Sequence, residues 1–180
     1  MDDIRTALVH YFEEWNTWAT QDHAYPFHTL RPMHAGWKVP DEQSLGELVT
    51  TLLPLTNQGH IGTVDNRKIA LLQVHEPVEG VPVLQIMQLR PASSDPLGLD
   101  HVAFYCKDMQ SLVDALAASE YTWEHQSNPG HQWISLWFGD NKREVKFFDH
   151  TSLDLGAHEL TEASARIKSH FPPLFEVKPL

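Results

Sequence analysis

A single cysteine, Cys106, stands in the 180-residue chain, so no internal disulfide can staple it, and a reducing, cytoplasmic setting is expected. Long apolar runs are missing as well. None approaches the roughly 20 residues that cross a bilayer, which removes membranes from the expected partners. Residues 1–10, MDDIRTALVH, lack the basic start and apolar stretch of a secretory leader. Positive charge is scarce: 13 Lys and Arg face 24 Asp and Glu. The resulting formal charge of −11 repels phosphate backbones and argues against nucleic acid. There is no Gly-rich phosphate loop, GxSxG elbow, HExxH or CxxC pair, so kinase, NTPase, α/β-hydrolase, zinc-finger and dinucleotide-binding readings have no support. At 42% hydrophobic and 21% charged, the composition is that of a globular domain rather than a disordered chain. The residue in surplus is histidine, with 12 copies.

Residues 2–20 carry Ile4, Leu8, Tyr11, Trp15 and Trp18 at helical spacing on one stripe, with Asp2 or Asp3 as the cap. The two Trp and the Tyr predict docking on an apolar surface. A loop marked by Pro26 and Pro32 follows. The most informative feature is an internal repeat. HAGWKVPDEQSLGELV (34–49) aligns with HVAFYCKDMQSLVDAL (101–116) at a constant offset of 67 residues. The offset matches His34 with His101, Asp41 with Asp108, Ser44 with Ser111 and Leu45 with Leu112. Each copy spells a short strand, an Asp-bearing turn and a helix. Period two puts Trp37 and Val39, like Phe104 and Cys106, on the strand face opposite His34 and His101. That apolar face is expected to pack on Leu45, Leu48 and Leu52 in one copy and on Leu112 and Leu116 in the other.

Three strand-like runs follow each helix. They are HIGTV (60–64), KIALLQV (68–74) and VPVLQIMQL (81–89), then YTWEHQ (121–126), WISLWF (133–138) and EVKFF (144–148). The expected fold is therefore a single α+β domain of two tandem βαβββ modules, at 30–90 and 98–150, behind a helical extension at 1–29. Residues 151–180 are expected to hold one more helix, at about 160–170, and an irregular tail.

Tandem βαβββ units of this size resemble the vicinal oxygen chelate (glyoxalase-like) superfamily, whose two modules set curved sheets side by side around one cavity. The sharpest marker is Leu99-Asp100-His101-Val102-Ala103-Phe104. More narrowly, His75-Glu76-Pro77-Val78, Gly98-Leu99-Asp100-His101 and Val145-Lys146-Phe147 resemble the YecM family, whose members are described as candidate metal-binding proteins. The superfamily's metal positions fall on the first and last strand of each module, here His34, Gln88, His101 and Lys146. Neutral imidazoles and an amide oxygen can ligate a divalent ion, but an ammonium cannot. Glu144 lies two residues before Lys146 on the same strand face, and a shift of register would restore a His34, Gln88, His101 and Glu144 set. Such a set suits Zn, Ni, Fe or Mn. Three states stay open: a metal site with Glu144, a metal-free site in which Lys146 holds an anion, and a cavity without chemistry.

The implied function is a metal-dependent glyoxalase-like enzyme acting on a small oxygenated molecule. The competing reading is a metal-free small-molecule binding module with Lys146, Trp133 and His125 as ligand contacts. Either would work as a monomer or a homodimer. His125 beside Glu124 reads as an acid/base pair or as half-exposed strand residues, and His60, His75 and His131 have the same bland alternative. His23, His28, His150, His158 and His170 fall in loops or the tail, where solvent explains them. Trp133 and Trp137 share a face with Ser135, Trp123 fits either face, and Cys106 reads as a small buried hydrophobe.

Overall fold

The computed structural model describes residues 1–64, 67–128, 131–149 and 175–177. Helix α1 runs Asp2–Ala19 from an N-cap at Met1, so Asp2 and Asp3 sit in its first turn, where they meet the helix dipole instead of capping. The first module is β1 (Arg31–Val39), α2 (Glu42–Leu52), β2 (Thr56–Val64), β3 (Arg67–Val78) and β4 (Val81–Gln88). The second is β5 (Gly98–Cys106), α3 (Met109–Ala117), β6 (Thr122–Asn128), β7 (His131–Phe138) and β8 (Arg143–Asp149). The repeat thus becomes βαβββ twice, with several strands longer than their apolar runs. The longer strands are carried on by backbone pairing, as where Thr56 lies opposite Val74 and Gln58 opposite Gln73. Both repeat aspartates cap their helices, Asp41 accepting from the Ser44 N–H at 2.7 Å and Asp108 from that of Ser111 at 2.9 Å.

The strands form one sheet in the order β6-β7-β8-β5-β1-β4-β3-β2-β9, with β1 and β5 antiparallel at its centre. The last strand, β9 (Phe175–Val177), pairs antiparallel with β2. Part of the expected irregular tail is therefore sheet, because the β2 edge offers its backbone groups to a partner. The helix expected at 160–170 lies outside the described residues, as do His150, His158 and His170.

One face of the sheet carries the helices. Ala35, Val39, Leu84, Ile86, Val102, Phe104, Cys106, Leu136 and Phe147 bury there against Leu45, Leu52, Leu112 and Leu116. Helix α1 docks on the same face, and Tyr11 Oη donates to the Glu144 carbonyl at 2.9 Å. Trp123 also packs on this side. His23 is tied in rather than solvated: its ring lies on Trp18, Nε2 reaches the Trp18 carbonyl at 2.6 Å and Nδ1 reaches Tyr121 Oη at 2.7 Å. The sequence could not show this, because the partners stand in α1 and after α3.

Candidate functional site

The helix-free face is best followed as rungs running across the strands. One rung reads Thr122, Trp137, Glu144, His101, Gly36, Gln85, Leu71 and His60. The next reads Glu124, Ser135, Lys146, Ala103, His34, Val83, Gln73 and Gln58. His34 and His101 therefore sit on adjacent rungs of the two central strands. Their rings are 3% and 2% exposed, and the two Nε2 atoms are 3.1 Å apart. Gly36 makes this possible. A side chain there would run into the His101 ring, which lies across β1. Glycine inside a strand often marks such a close approach.

His101 is held from behind. Its Nδ1 lies 2.8 Å from Asp100 Oδ2, and Asp100 Oδ1 is 2.6 Å from Lys38 Nζ. Lys38 also reaches Asp95 Oδ2, in the connection between the modules, at 2.8 Å. Burial alone would lower the Lys38 ammonium, but the bonds to Asp100 and Asp95 outweigh it and hold it above its ordinary value. Burial would raise Asp100, yet its bonds to His101 and Lys38 and the charge of Lys146 hold it ionised, well below the usual carboxylate range. The two imidazoles go the other way. Burial, the neighbouring His101 and the Lys146 charge lower His34. Burial first and Lys146 second lower His101 to about 4, with Asp100 opposing. Both rings are therefore neutral at pH 7. His101 Nδ1–H donates to the Asp100 carboxylate, which leaves the Nε2 lone pair facing His34.

Stability follows from the same groups. His101 titrates near 4 in the fold against an ordinary 6.5, so the unfolded chain takes up the proton first as pH falls. Its contribution is complete above about pH 6.5 and is lost progressively between 6.5 and about 4. Urea unfolding of metal-free protein across that window should show the decline, shallower in His101→Gln. Equal slopes would refute the assignment.

Glu144 and Lys146 both face this side of the sheet, each side chain 18% exposed, with Nζ 3.6 Å from Oε1. One ligand atom each from Asp100, His101 and Glu144 falls within 4.8 Å of the others. Gln88 is not brought to the site. It alternates with Leu84 and Ile86 on the helix face, and its Oε1 accepts from the Lys68 N–H at 3.1 Å. Opposite His34 stands Val83, just as Glu144 stands opposite His101, so the first module has no carboxylate at the equivalent place.

Trp133 is on the helix-free face, its ring nearly parallel to that of Phe148 at 19° and 5.9 Å. His125 lies opposite Ile134 on the other face and is exposed, whereas Glu124 accepts from Gln126 Nε2 at 3.0 Å. Glu124 stands opposite Ser135 on the helix-free face and His125 opposite Ile134 on the other, so the structure does not bring these two together as an acid/base pair. His75 and Glu76 are exposed at the far end of β3, and His60 is buried on the site's face. Asp100, Lys38, Gly36 and Ser135 were not singled out for the site by the sequence reading. The signal available for Lys38 and Gly36 was the two-residue step from His34.

No protein-family model matches the sequence, and no curated protein matches it. Solved structures do match in fold. A structural-genomics protein designated EC4020 aligns over 91% of this chain and 86% of its own, with 12% identity and a TM-score of 0.59. Methylmalonyl-CoA epimerase from Mycobacterium tuberculosis aligns over 66% and 87%, with 15% identity and a TM-score of 0.50. A glyoxalase I variant from Zea mays is more distant, at a TM-score of 0.46, 14% identity, and 77% and 55% coverage. The chain has the vicinal oxygen chelate fold, α+β with two tandem βαβββ modules. At these identities the likeness is one of fold. Among the described residues, no helix is long and apolar enough to cross a membrane.

The donor set can be tested against the divalent ion that the resemblance in sequence implies. Two imidazole nitrogens about 2.1 Å from a shared ion stand roughly 3.0–3.4 Å apart, and His34 and His101 present theirs at 3.1 Å. Both rings are neutral, Glu144 supplies a carboxylate beside His101, and Asp100 backs one ring, as ligating histidines usually require. The residues fit. The second ring is less prepared, since His34 Nδ1 has no hydrogen-bond partner among the described residues.

Proposed function

We propose that the protein is a metal-dependent enzyme of the glyoxalase-like kind acting on a small oxygenated molecule. His34, His101 and Glu144 are its metal ligands. The observation that carries this reading is the pair of buried, neutral imidazoles with Nε2 atoms 3.1 Å apart; the Glu144 carboxylate comes within 4.8 Å of a His101 nitrogen and of Asp100. Two histidines and one carboxylate suit Zn, Ni, Fe or Mn. A bound ion would supply Lewis acidity toward substrate oxygens. The chain supplies the rest. Asp100 fixes the His101 tautomer, Lys38 fixes Asp100, and the low exposure of both rings limits water. We also take the narrower likeness to the YecM family, and placement in a reducing cytosol, as parts of this reading. The first rests on the three short strings quoted above and the second on the lone Cys106.

Elemental analysis of untagged protein prepared without chelator tests it. Near-stoichiometric transition metal is expected, lost in both His34→Ala and His101→Ala. Wild-type protein that takes up no Zn, Ni, Fe or Mn on reconstitution would overturn the proposal.

One observation favours a second reading. The Lys146 ammonium lies close enough to lower both imidazoles and sits 3.6 Å from Glu144, where it can balance the carboxylate in place of a metal. In that reading the protein is a metal-free binding module for a small anionic molecule. Thermal stabilisation by anions without metal, lost in Lys146→Met, would distinguish it.

A further inference from the structure

We propose that Lys146 and Ser135 receive the carboxylate of a small flat acid, and that this subsite becomes available when Glu144 is taken up by the metal. The inference rests on the metal reading above and adds the substrate class. Ser135 lies directly opposite Lys146 across the β7–β8 pair. It is 0% exposed, and its Oγ has no hydrogen-bond partner among the described residues. An unsatisfied hydroxyl at that depth costs stability that alanine would avoid. A hydroxyl retained there is explained by a partner that arrives from outside. Tyr105, one rung further along β5, ends in a second buried hydroxyl lacking a partner among the described residues.

Charge selects the partner. Lys38 is committed to Asp95 and Asp100, whereas Lys146, whose charge reaches both imidazoles, lies beyond hydrogen-bonding distance of Glu144. At 3.6 Å their contact is an ion pair. While Glu144 is free, its negative charge opposes any incoming anion. A divalent ion held by His34, His101 and Glu144 cancels that charge and leaves the ammonium to the ligand. Metal and carboxylate should therefore bind with positive coupling, each tightening the other equally. One ammonium and one hydroxyl fit a monoanion. Aromatic rings line both neighbouring rungs, Trp137 on one side and the near-parallel Trp133 and Phe148 on the other. Those walls suit a flat body.

The test is calorimetric titration of benzoate, with benzylamine as the counter-probe, into metal-free and Zn-loaded protein. Glu144→Gln removes the opposing charge without metal. It should bind benzoate about tenfold or more tightly than metal-free wild type, the size of one charge-assisted hydrogen bond. Adding Lys146→Met should abolish that gain. Ser135→Ala in the Glu144→Gln background should weaken benzoate while leaving Tm unchanged or higher, which separates binding from folding. Equal benzoate affinity in Glu144→Gln and wild type, unchanged affinity in Ser135→Ala, or preference for benzylamine would each overturn the proposal. Metal uptake with flat benzoate affinity across the variants sinks the subsite alone. A Glu144→Gln gain in a protein that never takes up metal supports the subsite and overturns the metal reading.

Discussion

Replacing Trp15 by alanine should cost about 3–5 kcal/mol of folding stability, the range for emptying a buried aromatic position. Trp15 is 3% exposed and sits at the centre of an aromatic cluster joining α1 to the second module. Its ring stacks on Phe104 at 4.7 Å, meets Phe138 edge-on at 5.2 Å and touches Trp18 at 5.4 Å. No neighbour on a rigid sheet can move far enough to fill the space, so the cavity remains. Around it, Tyr11 Oη holds the Glu144 carbonyl and Glu14 holds Asn141 Nδ2 at 2.9 Å. Helix α1 is thereby tied to the strand that carries Glu144 and Lys146. Urea unfolding of Trp15→Ala and Trp15→Phe checks this, with the phenylalanine variant losing clearly less. A loss below about 1 kcal/mol in Trp15→Ala would make α1 an appendage rather than part of the core.

What could be read from the sequence divides along local and non-local lines. The repeat at offset 67 was legible because each copy carries its own evidence: alternating strand residues, a capping Asp and a Leu stripe. The structure then seats Leu45 and Leu112 against the same face as Val39 and Cys106. Gln88 shows where legibility stopped. Strand β4 is covered on both faces, with Val83 and Met87 buried on one side and Leu84 and Ile86 on the other. Such a strand has no hydrophobic alternation to reveal its phase. Pairing with neighbouring strands fixes it, and that of His34 with Val83 is a contact across 49 residues of chain. The Lys38–Asp100 contact was hidden likewise, since it depends on β1 and β5 lying antiparallel. The Glu144 and Lys146 alternatives were visible as a pair on one face, but the sequence could not say that they neutralise each other.

Gly36→Ala should disable the site by an overlap with the His101 ring, with the end of Met87 crowded beside it. Gly36 lies within β1 and has no positive φ, so no glycine-only conformation is lost. The new Cβ would drive into the His101 ring, 2.7 Å from Nδ1 and 2.9 Å from Met87 Cε. The ring has to swing away, which breaks its bond to Asp100 and carries Nε2 off its station beside His34. Metal affinity should fall by about 10–100-fold, the cost of disturbing the partners that orient a ligand. Stability should fall by about 1–3 kcal/mol, typical of overpacking. Removing the His101 ring should relieve the larger part of the overlap, leaving only the flexible end of Met87 to shift. In a double-mutant cycle, Gly36→Ala with His101→Ala should be more stable than the two single losses predict, by about 0.5–3 kcal/mol. The hydrogen-bonded Nδ1–H resonance of His101 gives a readout that needs no metal. It should disappear in Gly36→Ala and persist in a surface control such as Glu47→Gln. If the two losses simply add and the resonance survives, the His101 ring does not depend on the bare backbone of β1, and the arrangement that brings its Nε2 to His34 would need another cause.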